Sequence, residues 1–191
     1  MPNFDISSPF LREAERLAAI GKGSQQAVTR AVSTLARRLP VDARQDIQNE
    51  YSLTATRIRQ GLSVRQGDGF VELTGAGRGI GLIEFGGNWG GAKTQGAIAS
   101  VFASGGSHSY AGTFIATGLS GNRQIFDRMR ASPKQRMQKG RYVGQMRQPL
   151  KTLYGPSIAQ MLRKGDREQR LTDIAQVTLS DEVTRLLNLN G

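Results

Sequence analysis

Two glycine-rich stretches could do phosphate chemistry. In GGNWGGAKT, Gly86–Thr94, an apolar run (GLIEF) leads into a glycine loop that ends in Lys93-Thr94. Loops of this kind cradle phosphates with backbone N–H groups, while Lys reaches the phosphate charge and Thr the magnesium ion. The spacing fails. Counted from Gly87, the glycine required before the lysine is Ala92, and the flanks read as antiparallel strands where the motif needs a strand followed by a helix. The stretch is read as a glycine-rich loop between strands. In GAGRGIG, Gly75–Gly81, a dinucleotide fingerprint would need glycine at position 80, which is Ile80, and no βαβ context surrounds it. Such glycines instead mark a wide turn or close backbone contact between neighbouring subunits.

The remaining reactive side chains form no set. His108 lies in the polar run GGSHSY, with Ser107 and Ser109 only as sequence neighbours, and reads as a solvent-exposed loop residue. Asp68, Glu72 and Glu84 have no spacing that singles out an acid–base pair. Cysteine is absent and His108 is the single histidine, which excludes disulfides, thiolate metal sites and paired-histidine sites. The expectation is a protein that is not an enzyme and uses no catalytic residue, cofactor or metal. Trp89 is read either as an interface anchor or as a cap on the core.

Charge is the strongest signal. The formal net charge is +11, and the 29 residues from Arg123 to Lys151 hold nine basic side chains against one acidic, Asp127, for +8 of that total. Arg123, Arg128, Arg130, Lys134, Arg136, Lys139 and Arg141 are the candidate polyanion or partner contacts, with Arg147 and Lys151 completing the run. Only Tyr142 interrupts the basic part of this segment with an aromatic ring. That composition suits phosphate-backbone contact without sequence preference better than base stacking. A solvated loop and an acidic protein partner are the other two readings.

The elements that must position these groups follow from periodicity. SQQAVTRAVSTLARRL places Ala27, Val28, Ala31, Val32, Leu35, Ala36 and Leu39 on one helical face, with Ser24 as N-cap and Pro40 as terminator. A shorter helix precedes it over FLREAERLAAI, closed by Gly21 and Gly23, and another follows Pro40, broken near Ser52. From residue 62 the period shortens. Asp68-Gly69 predicts a hairpin, LSGN at Leu119–Asn122 predicts another turn, and the short connections predict an antiparallel sheet of about five to six strands over 62–128. Residues 129–150 read as an exposed basic loop. Then Pro156 is preset for the first turn of a helix whose Ile158, Met161 and Leu162 share a face, and a last helix is expected from Ser180. The fold class is α+β, in a single domain of 191 residues with helices at both ends of the chain. No run approaches 18 apolar residues and the opening MPNFDISSPF lacks the character of a signal peptide, so no membrane role is expected.

At GTFIATGLSGNRQIFDR, followed by the basic stretch and RQPLKTLYGPSIAQML, the chain resembles the minor tail protein Z family of tailed bacteriophages. The resemblance spans most of residues 24–165, with 112–162 its sharpest part. It implies a structural virion protein of tail completion or the neck, made in the host cytoplasm and working at the head–tail junction. The implied partners are further copies in a homo-oligomeric ring, other phage neck or tail proteins, and the DNA backbone where the ring lines the channel. Phe114, Ile115, Ile125 and Phe126 are expected to be scaffold. The alternative is a sequence-independent nucleic-acid-binding protein outside a virion.

Overall fold

The structure, a computed structural model, describes residues 22–67, 69–91, 95–118 and 120–190. The expected helix over FLREAERLAAI, Gly21, Asp68, Lys93-Thr94 and Leu119 lie outside the described residues. The chain is α+β, with helices and antiparallel strands arranged in two units.

The first unit draws on the chain up to Asn49, on Ala55–Arg78 and on the chain from Ser157. Its long helix α1, Lys22–Glu50, buries Ala27, Ala31, Leu35, Leu39, Ala43 and Ile47, every fourth residue along one stripe. That stripe explains why Pro40 does not end the helix as expected but lies inside it. A proline in a helix interior costs about 3 kcal/mol. Burying Ile47 alone returns about 1.5–3 kcal/mol, and Ala43 adds to it. Ser24 accordingly lies within the helix and not at its cap. The chain breaks over 51–54, as read near Ser52, before α2, Ala55–Gly61.

Strands β1, Leu62–Gly67, and β2, Phe70–Gly75, form the expected hairpin, paired from Leu62↔Gly75 to Gly67↔Phe70. Its two-residue loop ends at Gly69, whose φ of +77° favours glycine. Gly75 lets β2 approach the short helix α3, Ile158–Leu162: an added Cβ would stand 2.7 Å from the Ala159 amide nitrogen. The close approach is therefore within one chain. Ser157, not Pro156, begins α3, in a capping box where its hydroxyl accepts from the Gln160 N–H and the Gln160 side chain accepts from its own N–H. Ile158, Met161 and Leu162 are buried as the spacing predicted.

The last helix, α4, Arg167–Asn190, starts well before the expected Ser180. Leu171, Ala175, Leu179, Val183 and Leu186 give it a buried stripe, hidden in the sequence by the polar residues between them. Thr34 donates to Glu182 at 3.4 Å and Arg167 donates to Asp46 at 2.7 Å, so α1 and α4 run antiparallel.

The second unit holds 50–54 and 79–156. A 3-10 turn, Leu82–Glu84, precedes β3, Asn88–Trp89, β4, Gly96–Ala99, and β5, His108–Ala111, which form one sheet in that order. Strands β6, Thr113–Thr117, and β7, Arg123–Arg128, pair across the expected turn, with Gly121 at φ +80°. Strands β8, Gln135–Arg136, and β9, Met146–Arg147, pair with each other, and β10, Leu150–Thr152, joins β7. Phe85, Ala97 and Ile125 are fully buried, and Tyr51 packs on Phe102 at 5.3 Å between ring centres. Buried Thr113 ties this core, donating to the Tyr110 carbonyl at 2.6 Å and accepting from the Ala97 N–H at 3.0 Å.

The single sheet of five to six strands is corrected to four small ones, of two, three, three and two strands. The β1–β2 hairpin belongs to the helical unit, and in the other unit β3–β4–β5 and β6–β7–β10 pair as separate sheets.

Candidate functional site

The basic segment is built on β7. Ile125 points into the core, while Phe126 on the opposite face meets Phe114 of β6 at 5.9 Å between ring centres. The Arg128 guanidinium lies 4.9 Å from the Phe114 ring centre, so the strand's last cation is seated on its scaffold. Ile115, paired with Ile125, is half-buried. Arg123 stands at the opposite end of β7 from Arg128, and Lys151 on β10 faces Asp127 in register.

Beyond β7 the expected loop is an arm with its own structure. Met129 donates to the Pro149 carbonyl at 3.1 Å and Ser132 donates to Met129 at 2.9 Å, closing a turn that carries Arg130 and precedes Lys134. Gln135 pairs with Arg147 and Arg136 with Met146, and Met137 extends the ladder by donating to Gln145 at 3.0 Å. Gly144 donates back to Met137 at 2.9 Å, and the Arg136 Nε donates to the Gly144 carbonyl at 3.2 Å. The tip, 138–144, bears Lys139, Arg141 and Tyr142. A pattern of charge, glutamine and glycine concealed this hairpin because its strands have only two residues each and no apolar alternation.

Arg147 stacks on Tyr142, its guanidinium carbon 3.7 Å from the ring centre, and Arg141 comes within 5.9 Å of the same ring. All nine basic residues from Arg123 to Lys151 are exposed. Among the described residues none of the nine is in an ion pair, in contrast to Arg167, Arg170 and Arg185. The structure thus gathers Arg136, Arg141 and Arg147 at the arm and leaves Arg123 apart. The importance of Arg147 escaped sequence reading, although a tyrosine between two glycines, with Arg141 before it and Arg147 five residues after it, was a signal for it. Val143 and Met146, each 60% exposed, give the same arm an apolar component.

The other candidates fall elsewhere. Trp89 is 52% exposed on the edge strand β3, so it does not cap the core. Within the Gly86–Thr94 stretch Asn88–Trp89 form β3, which pairs antiparallel with the later strand β4, and Gly90 donates to Gly96 at 3.0 Å. His108 is exposed at the start of β5, Glu72 is half-buried on β2, and Glu84 is exposed on the 3-10 turn, not on a strand. Among the described residues no group of three or more His, Asp or Glu side chains could hold a metal ion. No helix among them is long and apolar enough to cross a membrane.

In the helical unit Arg167, Arg170 and Arg185 are compensated. Buried Arg167 donates to Asp46 and to the Met161 carbonyl, and Arg170 bridges Asp46 and Asp166. The Arg170 hydrogen bond holds the Asp166 carboxyl below its ordinary range, and the Arg185 hydrogen bond does the same to Glu182. Asp42 is pushed up by burial, against a weaker pull from Arg38. No family model, curated protein or solved structure matches this chain.

Proposed function

We propose that this chain is a structural virion protein: a tail-completion or neck subunit of a tailed bacteriophage, assembling as a homo-oligomeric ring at the head–tail junction. It works by protein–protein contact and not by catalysis. Its partners are further copies of itself and other neck or tail proteins, with DNA backbone in the channel as a further contact. It folds in the host cytoplasm and ends in the virion.

The observation that supports this reading is the run of residues 112–162, where the resemblance is sharpest. The residues that carry it, Phe114, Ile125, Phe126 and the Ser157-capped helix, are scaffold. Between them the scaffold displays an exposed arm whose cations lack carboxylate partners among the described residues. Trp89, Val143, Met146 and Leu150 add apolar side chains, each about half exposed or more, that a neighbouring subunit could cover. A protein whose scaffold residues build a frame and whose exposed arm is open to a partner suits an assembly role.

The uncompensated arm also favours a second reading, sequence-independent nucleic-acid binding outside a virion. Deletion of the gene from its phage separates the two. Electron microscopy and infectivity of the lysate are expected to give heads and tails that stay unjoined, or joined particles that do not infect. Normal infectious particles would refute the neck role and leave nucleic-acid binding in its place.

A further inference from the structure

Gly140 and Gly144 both adopt φ +84°, and they bracket Arg141, Tyr142 and Val143 at the tip of the arm. An added Cβ at Gly144 would meet nothing within 4 Å, so the backbone angle and not space calls for glycine there. The turns are closed by Val143 donating to Gly140 at 3.3 Å and Gln145 donating to Tyr142 at 3.2 Å. This frame sets Tyr142 under Arg147 at 3.7 Å, with Arg141 at 5.9 Å. A stacked guanidinium keeps its N–H edge for an oxyanion while losing less freedom on binding.

We infer that the arm Gln135–Arg147 is a clamp for the phosphate backbone of duplex DNA. Arg141 and Arg147 are the contacting groups, and Tyr142 is a positioning residue for Arg147. Nine cations against one carboxylate over 29 residues match a continuous polyanion better than a protein surface, where acidic and basic groups alternate. Duplex is favoured over single strand because stacking of bases needs free aromatic faces. Tyr142 is already engaged by Arg147, and Phe126, the segment's other ring, is paired with Phe114. A two-stranded ribbon such as β8–β9 also fits the major groove, with a row of phosphates on either side. The clamp stands on the arm's own geometry and needs no virion.

The test is fluorescence anisotropy of the full chain with a labelled random-sequence duplex over a salt series, each variant checked by thermal melting. The duplex is expected to bind more tightly than the matching single strand. Arg141→Gln/Arg147→Gln should weaken duplex binding about tenfold and lower the slope of log K against log salt by ~1.8, about 0.9 for each lost phosphate contact. Tyr142→Leu keeps the charge and should cost about threefold with the slope unchanged. Arg30→Gln/Arg37→Gln removes the same charge from exposed positions on α1 and should leave the slope unchanged. Equal losses in both double variants would reduce the effect to net charge and overturn the clamp. So would tighter binding of single strand, or displacement of the duplex by polyglutamate as effectively as by unlabelled duplex, which would assign the arm to an acidic protein. Because the isolated chain is used, loss of the clamp would leave the proposed neck role standing, and infectivity of a deletion phage would leave the clamp standing.

Discussion

Arg167 is 2% exposed, and its guanidinium is committed to Asp46 and to the Met161 carbonyl. Arg147 is exposed, lies over the ring of Tyr142 and has no carboxylate in reach among the described residues. The same side chain is used for opposite ends. In the helical unit, Asp46, Asp166 and Glu182 engage Arg167, Arg170 and Arg185 and convert their charge into fixed geometry. On the arm, geometry comes from glycine turns and one tyrosine, and the charge is left over for something else. The difference teaches that counter-charge, more than the number of arginines, separates a folding residue from one left open to contact.

The comparison breaks most forcefully at Arg167. Arg167→Ala leaves Asp46 with Arg170 as its remaining partner, strands the buried Met161 carbonyl and empties a fully buried site, and should destabilise the helical unit by about 3 kcal/mol. Chemical denaturation would measure it. A double-mutant cycle with Asp46→Asn should show that the second substitution costs much less once the first is made. Additive losses would mean that Arg167 acts by packing alone.

The arm can be disturbed without touching its charge. Gly144→Ala forces a side chain into left-handed backbone, at about 1–2 kcal/mol. The cost should appear as faster hydrogen exchange at the Met137, Gly144 and Gln145 amides, with the melting temperature of the whole chain nearly unchanged. If the amides keep their protection, the glycine turns do not hold the arm.

Acid should separate the two regions more gently. Asp166 and Glu182 are held below the ordinary carboxylate range by Arg170 and Arg185. Their folded-state values are depressed, so their contribution is present above about pH 4 and is lost as pH falls through those depressed values. Asp42, raised by burial, works in the opposite sense, its contribution shrinking as pH rises towards its raised value. With two groups against one, stability of the helical unit should fall modestly on acidification, followed by denaturant midpoints at successive pH values.

The contrast also explains what could be read from the sequence. Asp68-Gly69, the break near Ser52, the turn before Arg123 and the shared face of Ile158, Met161 and Leu162 were legible because each rests on neighbouring residues and local turn or period rules. Pro40 misled because the stripe that carries the helix past it is satisfied only by tertiary burial of Ala43 and Ile47. The Asp46–Arg167 pair spans 121 positions, and nothing local announces it. At the site, charge density marks the segment that forms the exposed arm, and Tyr142 is the sole aromatic in its basic part. That Arg147 would stack on Tyr142 depends on two turns closing a ribbon that has almost no apolar pattern.

The central claim is that Arg167 and its carboxylate partner hold the fold, while the unpaired arginines of the arm meet a partner. It is tested most directly by melting and duplex binding measured on the same preparations of Arg167→Gln and Arg141→Gln/Arg147→Gln. The account expects the first to lose stability by several kcal/mol yet, at a temperature where it is folded, to bind duplex normally. It expects the second to melt within about 0.5 kcal/mol of the unsubstituted chain and to lose duplex binding about tenfold. If the arm variant unfolded as readily as the Arg167 variant, or bound duplex unchanged, the division of labour would be contradicted.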